Sequence, residues 1–479
     1  MSIHFDSAVD VAASVRRGER DPLEVVETFL ERIESRNEIT NAYISVTEEN
    51  AKTRAQEISA RLGSGAELPL AGVPVAIKDL SETKAGVRNT MGFRPLADNV
   101  AERTSVTVAR LEAAGAIVIG TTNTPELGHS VRTDNSLQGP TSTPFDPERN
   151  SGGSSGGSAA ALADGLCTIA TGSDVGGSLR NPAACCGVVS VKPSHGLVPR
   201  GNRTNGYRGH TPVGVLGPMA RDIESLALTL DVLSGRDSVD PFSVPKSRSY
   251  HDALDERFDP SSLSIAYSPD LALFAVDPAV RTAIESTLSK IAAGGATVET
   301  VELDVPERGE LTHSYMTSVT TYFATAVAEL SEALGFDVLD EYADATPEKL
   351  HTLVSIGESH TAMTYTQSDF PRTELYHAIE NVLSEHDALV CPTLATPPLT
   401  HDEPFPTTID GEQTSGLPTD WTLAWPFNLT GHPVVSVPAE PADELPIGMQ
   451  LVGSIYDEAT LLRIADAIES IAPWTYPSS

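Results

Sequence analysis

Apolar residues near the start of the chain recur at helical spacing. Leu23, Val26, Phe29, Leu30 and Ile33 follow Asp21-Pro22, an N-cap ahead of a proline at the first helical position. Residues 51–62 continue as a polar-faced helix. The rhythm then changes. After the turn Ala71-Gly72, Val73 to Ile77 is an unbroken run of apolar and small residues, which predicts a buried strand delivering Lys78-Asp79 at its end. Thr104 to Ala114 is an amphipathic helix, Gly115 its C-cap, and residues 116–120 a second buried strand. Ser158 to Leu166 reads as a buried Ala/Leu-rich helix and Val188 to Pro193 as a strand. Leu216 to Asp222 opens the helix that carries Ser225 to Leu233. Residues 234–249 are polar and rich in Pro and Ser, a loop between subregions. A strand near 263–266, a helix over 278–293 and a strand over 297–303 follow, then a mostly helical stretch from about 307 to 386. The closing segment supplies a strand around Gly448–Leu451, a turn and a last amphipathic helix. Strands and helices alternating in this way predict an α/β architecture.

Composition narrows the class. The chain has 479 residues, 40% of them hydrophobic, enough to bury a large core as one domain or as two to three ordinary ones. No apolar run approaches the length of a membrane span, and MSIHFDSAVD lacks the basic start and apolar core of a signal peptide, so a soluble cytoplasmic protein is expected. Acidic residues number 66 against 32 basic ones, for a net charge of −34, and only seven of the basic residues are lysine. Such an acidic surface repels nucleic acid and anionic membranes, which excludes both as partners. The acids are spread along the whole chain rather than gathered in a tail, which points to a halophilic protein adapted to high salt. Cys167, Cys185, Cys186 and Cys391 have neither CxxC nor Cys/His spacing. They read as buried small residues, and no metal is implied.

The chemistry concentrates between Asn150 and Gly187, where two Gly/Ser clusters, Gly152–Ser158 and Gly176–Ser178, flank one short apolar segment. A flexible linker is the bland reading of GGSSGGS. The buried helix directly after it, and Arg180, Asn181 and Pro182 after the second cluster, count against that. No Gly-Lys-Ser/Thr follows, so a phosphate loop is excluded, and no Gly-x-Ser-x-Gly elbow is present for an α/β-hydrolase triad. Three motifs in order, GVPVAIKD at 72–79, GGSSGGS at 152–158 and GSDVGGSLRNPAACCG at 172–187, resemble the amidase signature family. The resemblance covers most of the chain, weakly between about 240 and 385.

That resemblance implies a mixed sheet of many strands covered by helices on both faces, built as a single domain over residues 1–479. Its signature core would span about 65–235, its variable substrate region about 240–385 and its return to the core about 386–475. It implies hydrolysis of a carboxamide with Ser178 as nucleophile, Ser154 as a bridging serine behind a cis peptide, and Lys78 as general base. The N–H groups of Val175, Gly176, Gly177 and Ser178 would form the oxyanion hole. Each role has a physical basis. Burial behind residues 73–77 would lower the Lys78 pKa so that it can accept a proton. A serine hydroxyl can donate and accept at once, as a relay requires. Ser155 and Ser158 are expected to support by hydrogen bonding, and Ser173 keeps the hydroxyl of the threonine common in the family. Arg180 is expected to be paired inside the core, with Asp174 as its candidate partner, while Asn123 and Glu126 hold a loop. Trp421, Trp425 and Phe427 fit a pocket wall or, more simply, the core, and Asn202 to His210 could border the site. No cofactor is implied, the partner is a small-molecule amide, and the sequence admits a homodimer. The glutaminase component of a tRNA-dependent amidotransferase is the alternative within the family, and a catalytically inactive binding homologue the alternative outside catalysis.

Overall fold

The computed structural model describes residues 3–201, 205–256 and 259–477. Eleven strands form one mixed sheet. In chain order they are β1 (Tyr43–Val46), β2 (Pro74–Lys78), β3 (Ile117–Thr122), β4 (Ile169–Asp174), β5 (Val189–Lys192) and β6 (Val215–Ala220), then β7 (Ser264–Tyr267), β8 (Thr297–Thr300), β9 (Ala388–Pro392), β10 (Val434–Pro438) and β11 (Gly448–Val452). In space they run β1-β3-β2-β4-β6-β5-β10-β11-β9-β7-β8. β2 is parallel to β3 on one side and to β4 on the other. From β4 through β6, β5, β10 and β11 to β9 every pairing is antiparallel. β9, β7 and β8 finish the sheet in parallel.

This order decides where the chemistry sits. β2 has a parallel neighbour on each side and all five of its residues are buried, as its continuous apolar run predicts. Lys78 ends β2 opposite Thr122, and the parallel β4 ends in Ser173 and Asp174 at the same edge. The carboxyl ends of parallel strands are where crevices open in α/β sheets. The wholly buried helix Gly156–Ala163 lies against β2, β3 and β4 and presents its N-terminal serines there. The C-terminal β10 and β11 pair into the same sheet, so segments more than 350 residues apart share one surface.

Most elements follow the hydrophobic spacing. The helix Pro22–Thr40 is capped by the Asp21 side chain, which accepts from the Leu23 N–H at 2.7 Å, and it buries Val25, Val26, Phe29 and Ile33. It stops at Asn41, whose φ of 52° is left-handed. Residues 234–249 carry no helix or strand, and 308–383 holds five α-helices led by Arg308–Leu334 and one 3-10 turn at Ala343–Ala345. One expectation is corrected. Residues 216–220 do not open a helix; they form β6, and the helix begins only at Ile223, where the Asp222 carboxylate caps the Ser225 N–H at 2.7 Å. Short apolar runs have no period that separates strand from helix, and pairing along all of β4 decides for strand. Pro218 is tolerated there because β5 pairs only with Met219 and Ala220. Among the described residues no helix is long and apolar enough to cross a membrane.

Candidate active site

Lys78 is fully buried, and its Nζ donates to three hydroxyls: Ser154 Oγ at 2.8 Å, Ser173 Oγ at 2.9 Å and Ser155 Oγ at 3.0 Å. Among the described residues no carboxylate pairs with it. Burial pushes its pKa down to about 8, and the more distant charges of Glu82 and Asp174 oppose part of that fall. Asp79 does not compensate it. Strand alternation turns Asp79 to the other side, where it accepts from Asn89 Nδ2 at 3.1 Å and from the Thr90 N–H at 3.0 Å.

The first Gly/Ser cluster is held in place by its backbone. The Gly153–Ser154 peptide is cis. The Thr124 hydroxyl donates to the Ser154 carbonyl at 3.0 Å. Ser155 ties the two clusters together: its N–H donates to the Ser178 carbonyl at 3.2 Å, and its hydroxyl meets the Ser173 backbone at 3.4 Å. Ser158 lies one turn further along and donates to the Thr171 carbonyl at 2.8 Å, which fixes helix to strand. Asn123 and Glu126 brace the neighbouring loop. Asn123 Nδ2 reaches the Gly139 carbonyl at 3.0 Å, and Glu126 accepts the Ser136 N–H at 2.8 Å.

Ser178 is half-buried on the turn between β4 and the helix Arg180–Cys186. Two glycines make this turn possible. Gly177 has φ of +105°, and a Cβ on it would meet Asn181 Oδ1 at 2.5 Å. A Cβ on Gly176 would lie 1.8 Å from Tyr315 Oη. The resemblance names four backbone donors here, and the structure separates one from the others. The Gly177 N–H already donates to Asp174 Oδ1 at 2.8 Å, so it is not free for an oxyanion. Among the described residues the N–H groups of Val175, Gly176 and Ser178 have no protein acceptor. Asp174 also receives Arg180 through Nε at 3.0 Å and Nη2 at 2.9 Å, both side chains being fully buried. Burial alone would raise the Asp174 pKa; the Arg180 charge and the hydrogen bonds of Arg180, Asn428 and Gly177 outweigh it and hold the carboxyl far below its usual range.

Several participants had no signal in the sequence. Arg180 Nη1 donates to the Ala424 carbonyl and to Gln450 Oε1, each at 2.8 Å, and its Nη2 to Asn428 Oδ1 at 2.7 Å. Tyr315, from the long helix 308–334, covers Gly176 and stacks on Trp425 with ring centroids 5.1 Å apart. Glu82 is buried near Lys78, which lowers its pKa against a larger rise from burial. Trp421, Trp425 and Phe427 are core, as the simpler reading had it, and the cavity wall beside them is made by Leu417, Pro418 and Thr419 instead. That cavity, of about 250 Å³, opens at Ser178. A second, of about 280 Å³, reaches Ser173 and is bordered by Arg200 and Arg208. Of the segment Asn202 to His210, residues 202–204 lie outside the described residues, while Arg208 borders this second cavity. All four cysteines are buried and unpaired, and burial raises each thiol.

The Amidase family model matches residues 24–462. The chain is 33% identical to an acylamidase of Rhodococcus erythropolis, over 99% of this chain and 97% of the relative. It is 32% identical to a glutamyl-tRNA(Gln) amidotransferase subunit of Natranaerobius thermophilus, over 98% and 96%. A crystal structure of a bacterial aryl acylamidase of the amidase signature family superposes with a TM-score of 0.92 at 30% identity, covering 98% of this chain and 97% of that one. With its match to the family model along nearly its whole length, this chain belongs to the amidase signature family.

Proposed function

We propose that this protein hydrolyses a carboxamide to a carboxylate and ammonia or an amine, through an acyl-enzyme on Ser178. The observation that carries this reading is the buried Lys78, whose Nζ lies 2.8 Å from Ser154 Oγ with no carboxylate paired to it among the described residues. In its neutral form Lys78 takes a proton from Ser154 as Ser154 takes one from Ser178. The freed Ser178 oxygen bonds to the amide carbon, and the carbonyl oxygen gains charge facing the N–H groups of Val175, Gly176 and Ser178. The C–N bond then breaks while the proton returns through Ser154 to the leaving nitrogen. Water, deprotonated along the same path, attacks the ester and releases the carboxylate and Ser178. Ser155, Asp174 and Arg180 position these groups rather than react.

The similarity to acylamidases favours a free-standing amidase, in which released ammonia or amine goes to solvent. The same reading includes a cytoplasmic, halophilic setting with no nucleic-acid partner. A net charge of −34 and four unpaired buried thiols support it. The test is a screen of aliphatic, aromatic and amino-acid amides at molar salt, joined to treatment with a serine-directed phosphonylating reagent. Turnover together with a single adduct on Ser178 is the expected result. An adduct on Ser154 or Ser155 would reverse the roles, and no turnover with no adduct would leave a binding homologue. Activity that appeared only with a co-purifying partner would favour the amidotransferase component.

A further inference from the structure

The cavity that opens at Ser178 is walled mainly by apolar side chains, among them Val131, Val175, Met316, Val319 and Phe323. One lining residue breaks that pattern. Lys349, in the first turn of the helix Glu348–Ser359, stands exposed at the rim. Among the described residues no carboxylate lines this cavity. His129, the other basic side chain on its wall, is neutral: burial pushes its pKa down to about 4, the Glu126 carbonyl opposes this, and the Lys349 charge adds to it.

The other lysines give this placement its meaning. The chain has only seven. Lys52, Lys84, Lys246 and Lys290 are each ion-paired with a carboxylate. Lys78 and Lys192 are interior. Lys349 is the remaining one, and among the described residues it has no acidic partner, in a protein carrying 66 acidic residues. Its exposed ammonium therefore carries its charge at the cavity that holds Ser178, with no counter-charge beside it among the described residues. An anion arriving from solvent would supply the missing charge.

We propose that the substrate amide bears an anionic group, a carboxylate or a sulfonate, which Lys349 holds at the mouth of the cavity while an apolar spacer fills its walls. The inference deepens the amidase reading and rests on Ser178 as the nucleophile. At about 250 Å³ the space suits a single ring or a short alkyl chain, and is smaller than the roughly 300–1,000 Å³ of pockets for drug-sized ligands. The acidic surface repels such a substrate at long range, but molar salt shortens that repulsion to about 3 Å and leaves direct contact with Lys349 intact.

The test compares amides of one spacer ending in carboxylate, sulfonate or a neutral methyl ester, at molar salt. The unaltered enzyme should prefer the anionic members by about 2- to 5-fold in kcat/KM, the range of one exposed charge pair. In Lys349→Gln the ratio should collapse toward one, through KM rather than kcat. Lys349→Arg should keep most of it, and Lys349→Glu should turn it against anions. Titration of the Ser178→Ala protein with the carboxylate amide gives a readout apart from turnover, and its Kd should weaken when Lys349→Gln is added. Equal kcat/KM for charged and neutral amides in the unaltered enzyme would overturn the proposal and leave the amidase reading standing. No turnover of any amide would instead strike the amidase reading, and the binding titration would still decide the role of Lys349. A preference for carboxylate over sulfonate, or the reverse, identifies the anion.

Discussion

Three hydroxyls lie within 3.0 Å of Lys78 Nζ and no carboxylate pairs with it among the described residues, so in the proposed mechanism its protonation state is the variable on which the reaction turns. Burial lowers its pKa to about 8, and the proposed mechanism needs the neutral form, so kcat/KM should rise as pH passes upward through that value and then level. A pH profile that is flat or falling there would contradict the role. Lys78→Arg tests the same point by chemistry, because arginine keeps its proton at any workable pH. It should be as inactive as Lys78→Ala. Near-normal turnover in Lys78→Arg would mean that the residue serves as a fixed charge. Ser178→Ala should lose about 10⁴-fold or more, as nucleophiles acting within a unit do. Asp79 does not disturb this balance, since its carboxylate is engaged with Asn89 and Thr90 on the other side of the strand.

The turn that carries Ser178 is clamped from both ends. Tyr315 Oη would sit 1.8 Å from a Cβ at position 176, so Gly176→Ala must displace the turn or the tyrosine. In the proposed mechanism this misaims one oxyanion donor, a loss of about 3–4 kcal/mol, so the expected loss in kcat is about 10²- to 10³-fold. Removing the hydroxyl in Gly176→Ala/Tyr315→Phe should recover part of that loss, which a double-mutant cycle in kcat reads directly. At the other end the Arg180–Asp174 pair fastens the turn to Ala424, Asn428 and Gln450. Arg180→Met leaves a buried carboxylate without its partner, and the expected cost is about 3–5 kcal/mol of stability, seen as a lowered Tm. An unchanged Tm would show that Asp174 is satisfied by its N–H and amide donors alone.

Across the whole molecule, strands from residues 43 to 452 enter one sheet, and the main apolar cluster runs from Ala8 to Ile468, beside a small second one around Phe93, Leu96 and Val338. Limited proteolysis should therefore release no independently folded fragment ending near residue 240, although the loop 234–249 is open to cutting. A stable fragment of that size would mean separate domains. The charge of −34 acts on the same scale. Self-repulsion destabilises a compact state, and at 1 M salt the screening length shrinks to about 3 Å. Tm should accordingly rise between dilute buffer and molar potassium chloride. A Tm highest in dilute buffer would remove the case for a halophilic protein.

Residues that act through neighbours in the chain could be read from the sequence. Spacing of apolar side chains placed the helix Pro22–Thr40 and the strand ending in Lys78, because periodicity is a local property. The Gly/Ser clusters marked the turn that carries Ser178 for the same reason, bare backbone and hydroxyls lying close together in one stretch, while the role of nucleophile came only from the family resemblance. Tertiary structure alone decided matters that depend on partners far along the chain. β6 is a strand because β4 lies along it, not because of its own pattern. Arg180 finds acceptors 244, 248 and 270 residues away, and no spacing rule reaches that far. The Gly177 N–H drops out of the donor set only because Asp174 folds back onto it at 2.8 Å. Lys349 gains its meaning from the cavity it borders, since an unpaired cation shows itself only when every carboxylate near it has been placed in space.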